Sequence, residues 1–140
     1  FRRVLFRSAG IHLPLVHQEH NITKVVEQPL DFTTLHAKYQ KFALDFLEES
    51  QNDPFFLYVP FSHVHTTATQ DQHDCKTEGG DQYTSCEWRN TTTRGPFGDA
   101  LAETDEMVGA IRHKLEELNL LKNTLILFAS DSSFIHCTFT

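Results

Sequence analysis

Two short apolar runs limit what this chain can fold into. "PFFLYVPF" (Pro54 to Phe61) and "LILFA" (Leu125 to Ala129) are rich in aromatic or branched residues, and each follows a stretch whose apolar residues recur at helical spacing. Runs of that length and composition read as buried strands. Asp31, Thr33 or Thr34 can cap a first helix that carries Leu35, Tyr39, Phe42, Phe46 and Leu47 on one face and ends near Ser50, where "QNDP" stops it. "RGPFGD" leads into a second helix, with Asp99 as its expected cap and Glu103 near the positive end of its dipole. Leu101, Val108, Ile111, Leu115 and Leu118 form the expected buried face of that helix, which "NLLKN" closes. The order helix, strand, long loop, helix, strand implies a right-handed crossover between parallel strands, hence an α/β sheet with helices on its faces. Ligands of such sheets collect at the carboxyl ends of strands, where His63, His65 and Asp131 lie.

The flanks are less ordered in pattern. Gly10 to Gln28 has no steady period and reads as irregular, apart from "KVVEQP", a short edge strand stopped by Pro29. Thr66 to Arg94 is a polar stretch containing Cys75, Cys86 and Trp88, of a length that in compact domains is usually functional or disordered.

Composition narrows the function. At 140 residues, 39% apolar and 22% charged, the chain has the make-up of one small globular domain. A net charge of −7 with dispersed Lys and Arg argues against nucleic acid as a partner. No apolar stretch approaches the length of a membrane span. "FRRVLFRS" is too often broken by basic residues for a signal peptide, and with no initiator Met the chain is expected to begin mid-protein. Of three cysteines, Cys75 and Cys86 can form a local disulfide worth about 2–3 kcal/mol, leaving Cys137. The sequons Asn21-Ile22-Thr23 and Asn90-Thr91-Thr92 fall in polar segments and point to the secretory pathway.

Three residues could carry chemistry. Asp131 reads either as an oxygen ligand to a hard cation or as a cap for whatever follows; calcium would need about six to eight oxygens, and no acidic cluster lies nearby in sequence. His63 and His65, two apart, would share a face of a strand, a spacing that suits zinc or an oxyanion. Zinc would need further ligands, with His73, Asp74 and Cys75 in the following loop; otherwise one histidine packs on the sheet edge and the other is solvated. Asp105, on or beside the apolar face of the second helix, is expected to be a hydrogen-bonded structural residue rather than a catalytic acid. Nucleophile elbows, phosphate-cradling glycine loops and paired catalytic carboxylates are absent from the sequence.

"PFFLYVPFSHVHTT", followed by "RGPFGDALAETDEMVGAIRHKLEELNLLKNTLILFASD", closely resembles the formylglycine-dependent sulfatases of the arylsulfatase A and G type, and "VVEQPLDFTTLHAKYQKFALDFL" resembles the segment before their strand. The resemblance covers Ile11 to Asp131. It implies an alkaline-phosphatase-like α/β fold, here partial, with residues 11–131 part of a catalytic domain and residues 1–10 and 132–140 non-native or divergent. It implies hydrolysis of sulfate esters, on a small molecule or a sulfated glycan or lipid, in a lysosomal or secreted protein whose oligomeric state the sequence leaves open. The family's nucleophile is a formylglycine made from the cysteine of C-x-P-x-R, and Ca2+ or Mg2+ holds the sulfate. By position His65 matches the histidine that contacts sulfate or leaving group, His63 its neighbour, and Asp131 the first residue of a metal-binding Asp-Asn pair that reads Asp131-Ser132 here. None of Cys75, Cys86 and Cys137 lies in C-x-P-x-R, so the chain alone is expected to be inactive. The alternatives are a non-catalytic interaction module that keeps the fold and a phosphodiesterase of the alkaline phosphatase superfamily.

Overall fold

The structure, a computed structural model, describes residues 14–28, 30–65 and 84–130. It opens with an antiparallel hairpin of β1 (Leu15–Glu19) and β2 (Ile22–Glu27), paired from Leu15↔Glu27 to Glu19↔Ile22. The loop is two residues long, and its first residue, His20, takes the positive φ (51°) that such a loop requires. Most of this stretch was expected to be irregular. The hairpin escapes sequence patterning because it is largely exposed on both faces, Ile22, Val25 and Val26 included, so no apolar alternation marks it.

A short 3-10 turn at Phe32–Thr34 leads into α1 (Leu35–Glu49). Of the three candidate caps, Asp31 performs the role: its carboxylate accepts from the Thr33 amide at 2.9 Å and the Thr33 hydroxyl at 2.7 Å. Leu35 and Leu47 are fully buried on α1 as expected, and Leu30, Phe32 and Leu35 form a cluster flanked by Leu15 and Tyr39. Phe42, expected inside, is 40% exposed and meets His17 of the hairpin edge-on at 5.8 Å. An ion pair from Lys38 to Glu27 also holds the hairpin to α1.

Helix α2 (Gly95–Glu117) packs against α1. Gln40 and His36 bond to Glu106, and Lys114 bonds to Glu48, so partner numbers rise together and the two helices run in the same sense. Two parallel helices in sequence require the chain to return between them. Residues 54–65 make that return: Phe55 stacks edge-on with Phe46 near the end of α1, and the His63 ring meets that of His36 in the first turn.

Along this return, Phe55, Leu57, Val59 and Phe61 are half-buried while Phe56, Tyr58 and Pro60 are exposed, the period of two of an extended strand with one covered face. Thr124 is extended, residues 125–130 join neither helix nor ladder, and Phe128 approaches Phe61 at 6.4 Å. The parallel pairing expected of these runs is not found: among the described residues the sheet is the β1–β2 hairpin, and neither run joins a ladder. Nor are they buried strands, since Phe56 is 86% and Leu125 and Leu127 are each 82% exposed. The sequence carries the apolarity of strands covered on both faces, whereas α1 covers only one face of the first run.

The cap expected at Asp99 is also corrected. α2 begins five residues earlier, capped at Arg94 with Gly95 at φ +65° and Pro96 in the first turn, which places Asp99 inside the helix and buries it. There it accepts from the Asn90 and Thr92 amides at 2.8 and 2.9 Å, fastening the preceding loop. The buried stripe is Ala100, Glu103, Thr104, Met107 and Leu115, rotated from the expected one, with Leu101 40% exposed; Asp105 is exposed too. α2 ends as "NLLKN" suggested: Asn119 takes φ 59° while the Leu120 amide reaches the Leu115 carbonyl at 2.8 Å and the Asn119 amide reaches that of Glu116 at 3.0 Å, a Schellman motif.

Candidate functional site

The rotation of α2 has a chemical consequence, because it turns an acid inward. Glu103 is fully buried, and its carboxylate accepts from His63 Nε2 at 2.9 Å and from the Ser85 amide at 3.1 and 3.3 Å. His36 completes the group, with Nδ1 at 3.9 Å from Glu103 Oε1 and Nε2 at 3.0 Å from Glu106 Oε2. Gln40 holds the second oxygen of Glu106 at 3.0 Å. Four segments thus converge: α1, the turn after the first extended run, the loop before the Cys86–Trp88 turn, and α2.

Burial pushes the Glu103 carboxyl up, yet the hydrogen bonds from His63 and Ser85 together with the His63 charge outweigh it and hold the group below the usual carboxylate range. Burial pulls the nearby Arg89 guanidinium down, with Glu103 opposing it. A carboxylate kept ionised between two imidazoles is a cation-binding or proton-holding arrangement.

The two sequence-predicted histidines do not share a face. Ser62 to His65 is a turn closed by the His65 amide on the Ser62 carbonyl at 3.2 Å, which breaks the strand period. The His63 side chain is 3% exposed and points to Glu103, whereas His65 is exposed. Asp131, Cys75 and the other loop residues weighed for zinc, His73 and Asp74, lie outside the described residues. Cys86 is disulfide-bonded, to a partner outside the described residues. Asn21 and Asn90 are both exposed at turns, the placement glycosylation requires.

Sequence reasoning missed His36 and took Glu103 as a dipole partner. The usable signal was a polar residue within an apolar stripe: His36 adjoins Leu35 and stands seven residues before Ala43, and Glu103 stands four before Met107. The described cluster does not fit calcium or magnesium, which demand oxygen donors, because two of its three ligand atoms are imidazole nitrogens.

A family model described as Sulfatase matches residues 12–134. Among curated relatives, an arylsulfatase of Hemicentrotus pulcherrimus is 37% identical over 107 residues, covering 76% of this chain and 17% of that protein. Human arylsulfatase A is 33% identical over 110 residues, covering 77% of this chain and 19% of that protein, and a rat steryl-sulfatase is 31% identical over 107 residues, covering 76% and 16%. This chain therefore spans less than a fifth of the length of these relatives. No solved structure matches it. The match over most of the chain, in the blocks that build the two helices and the extended runs, places the chain in the sulfatase family.

Proposed function

We propose that the protein to which this sequence belongs hydrolyses sulfate esters, and that this chain supplies one wall of its catalytic domain without the nucleophile. The observation that carries the reading is the family match over residues 12–134, which includes the turn bearing His63 and His65. Exposed His65 is the residue assigned to the sulfate or leaving-group oxygen, where an imidazole can donate a hydrogen bond or a proton. His63 acts on it through the backbone: bonded to Glu103, it fixes the turn that presents His65. Asp131 is assigned to the Ca2+ or Mg2+ of the intact domain, where such a cation supplies Lewis-acid stabilisation of sulfate oxygen. The formylglycine lies outside this chain, so the chain alone is inactive.

A lysosomal or secreted location is supported by the disulfide at Cys86 and by the exposed asparagines of both sequons. The substrate, whether a small aryl ester or a sulfated glycan or lipid, is set by parts of the domain beyond this chain. The test is hydrolysis of an aryl sulfate by the protein carrying C-x-P-x-R and by its H65A variant. Turnover that falls at least about 100-fold in H65A supports the reading. Turnover of an aryl phosphodiester alone would replace it with a phosphodiesterase, and no turnover of either would favour an interaction module.

A further inference from the structure

We infer that His36, His63 and Glu103 form a binding site for a single zinc ion, a nitrogen-rich donor set that does not include Asp131. One ligand atom from each lies within 4.8 Å of the others, and all three side chains are buried. Two imidazoles and one carboxylate are a zinc donor set, leaving a fourth position for water. Zinc–ligand bonds near 2.05 Å put tetrahedral ligand atoms about 3.3 Å apart, so loading draws the widest pair inward by at most about 1.5 Å.

The arrangement of hydrogen bonds argues for an ion rather than for a network complete in itself. His36 is held at Nε2 by Glu106, and Glu106 by Gln40, the carboxylate–histidine support typical of zinc ligands. With its proton on Nε2, the neutral ring turns a lone pair at Nδ1 toward Glu103 Oε1, 3.9 Å away and too far for a hydrogen bond. Two facing acceptors in a buried site are stabilised by a cation between them. Binding requires His63 to carry its proton on Nδ1, so that Nε2 gives a lone pair to the ion in place of a hydrogen bond to Glu103.

The test is titration of the chelator-stripped full chain with Zn2+ against a chromophoric competitor, and with Co2+ read by visible absorption. One equivalent of Zn2+, the intense bands of four-coordinate cobalt, loss of both in H36Q, and a 10- to 100-fold weaker affinity in E106A are expected. Glu106 is 39% exposed, so E106A leaves the core intact, and exposed His113 gives a control, H113A, that binds as the parent does. Uptake without one-to-one stoichiometry, or H36Q and E106A binding like the parent chain, would overturn the site and assign any zinc to the dispersed histidines.

Discussion

Glu103 of α2 and His63, forty residues apart in sequence, meet at 2.9 Å with both side chains closed to solvent. The pair joins the turn after the first extended run to the second helix. Because a buried carboxylate is tolerated only when hydrogen-bonded or paired, removing one partner costs more than the bond itself contributes. H63A is expected to lower unfolding free energy by about 3–5 kcal/mol. The double variant H63A/E103A should lose less than the sum of the singles, since it removes the stranded charge. Urea unfolding of the four proteins measures the coupling, and simple additivity would show that the pair is energetically idle.

Asp99 sets an acid limb. Burial pushes its carboxyl up, but hydrogen bonds from the Thr92 and Asn90 amides and the Thr91 and Thr92 hydroxyls hold it below its ordinary value of 3.8. A depressed folded value means the stability it contributes is complete above 3.8 and is lost as pH falls through the lower folded value. D99N should therefore cost about 2 kcal/mol at neutral pH and progressively less below 3.8. Unfolding midpoints of both proteins across that range check the sign: curves that stay parallel in acid would rule out the linkage.

Two glycines of α2 predict opposite outcomes. A Cβ on Gly98 would lie 2.5 Å from both Arg94 Cβ and Thr92 Oγ1, atoms fixed close to the backbone of the preceding turn. G98A should cost about 1–3 kcal/mol through that overlap. A Cβ on Gly109 meets nothing within 4 Å, and this helix position gains about 0.5–1 kcal/mol from alanine. Thermal melts of the two variants, run side by side, should move in opposite directions.

Both helices were legible because local spacing sets them. Leu35 and Leu47 declare the inner face of α1, and Asn119 with its following leucines declares the end of α2. The start of α2 was misread because Asp99, an ordinary cap residue, bonds backward to a loop from inside the helix. The site was less legible still. His36, His63 and Glu103 come together only through the parallel packing of α1 on α2, and no local pattern relates residues 36, 63 and 103. Strand-like apolarity in residues 54–61 was read as a buried strand, and the run alternates as a strand would but stays half-exposed and outside any ladder, because what covers a strand is set by its neighbours rather than by its own composition.

Phe56, Tyr58, Leu125, Leu127 and Phe128 expose large apolar side chains on two segments that make no ladder among the described residues. Exposed aromatic and aliphatic side chains clustered on backbone outside any ladder favour association with another chain. The 140-residue chain on its own should therefore associate as its concentration rises, and bind a hydrophobic dye such as ANS while folded. F56S and L127S replace 86% and 82% exposed side chains, so they should reduce light scattering and dye fluorescence while changing stability by less than about 0.5 kcal/mol. If the parent chain instead stays monomeric and dye-free at high concentration, these faces are covered by other parts of the chain itself; if the serine variants unfold, the two segments contribute to the core rather than to its surface.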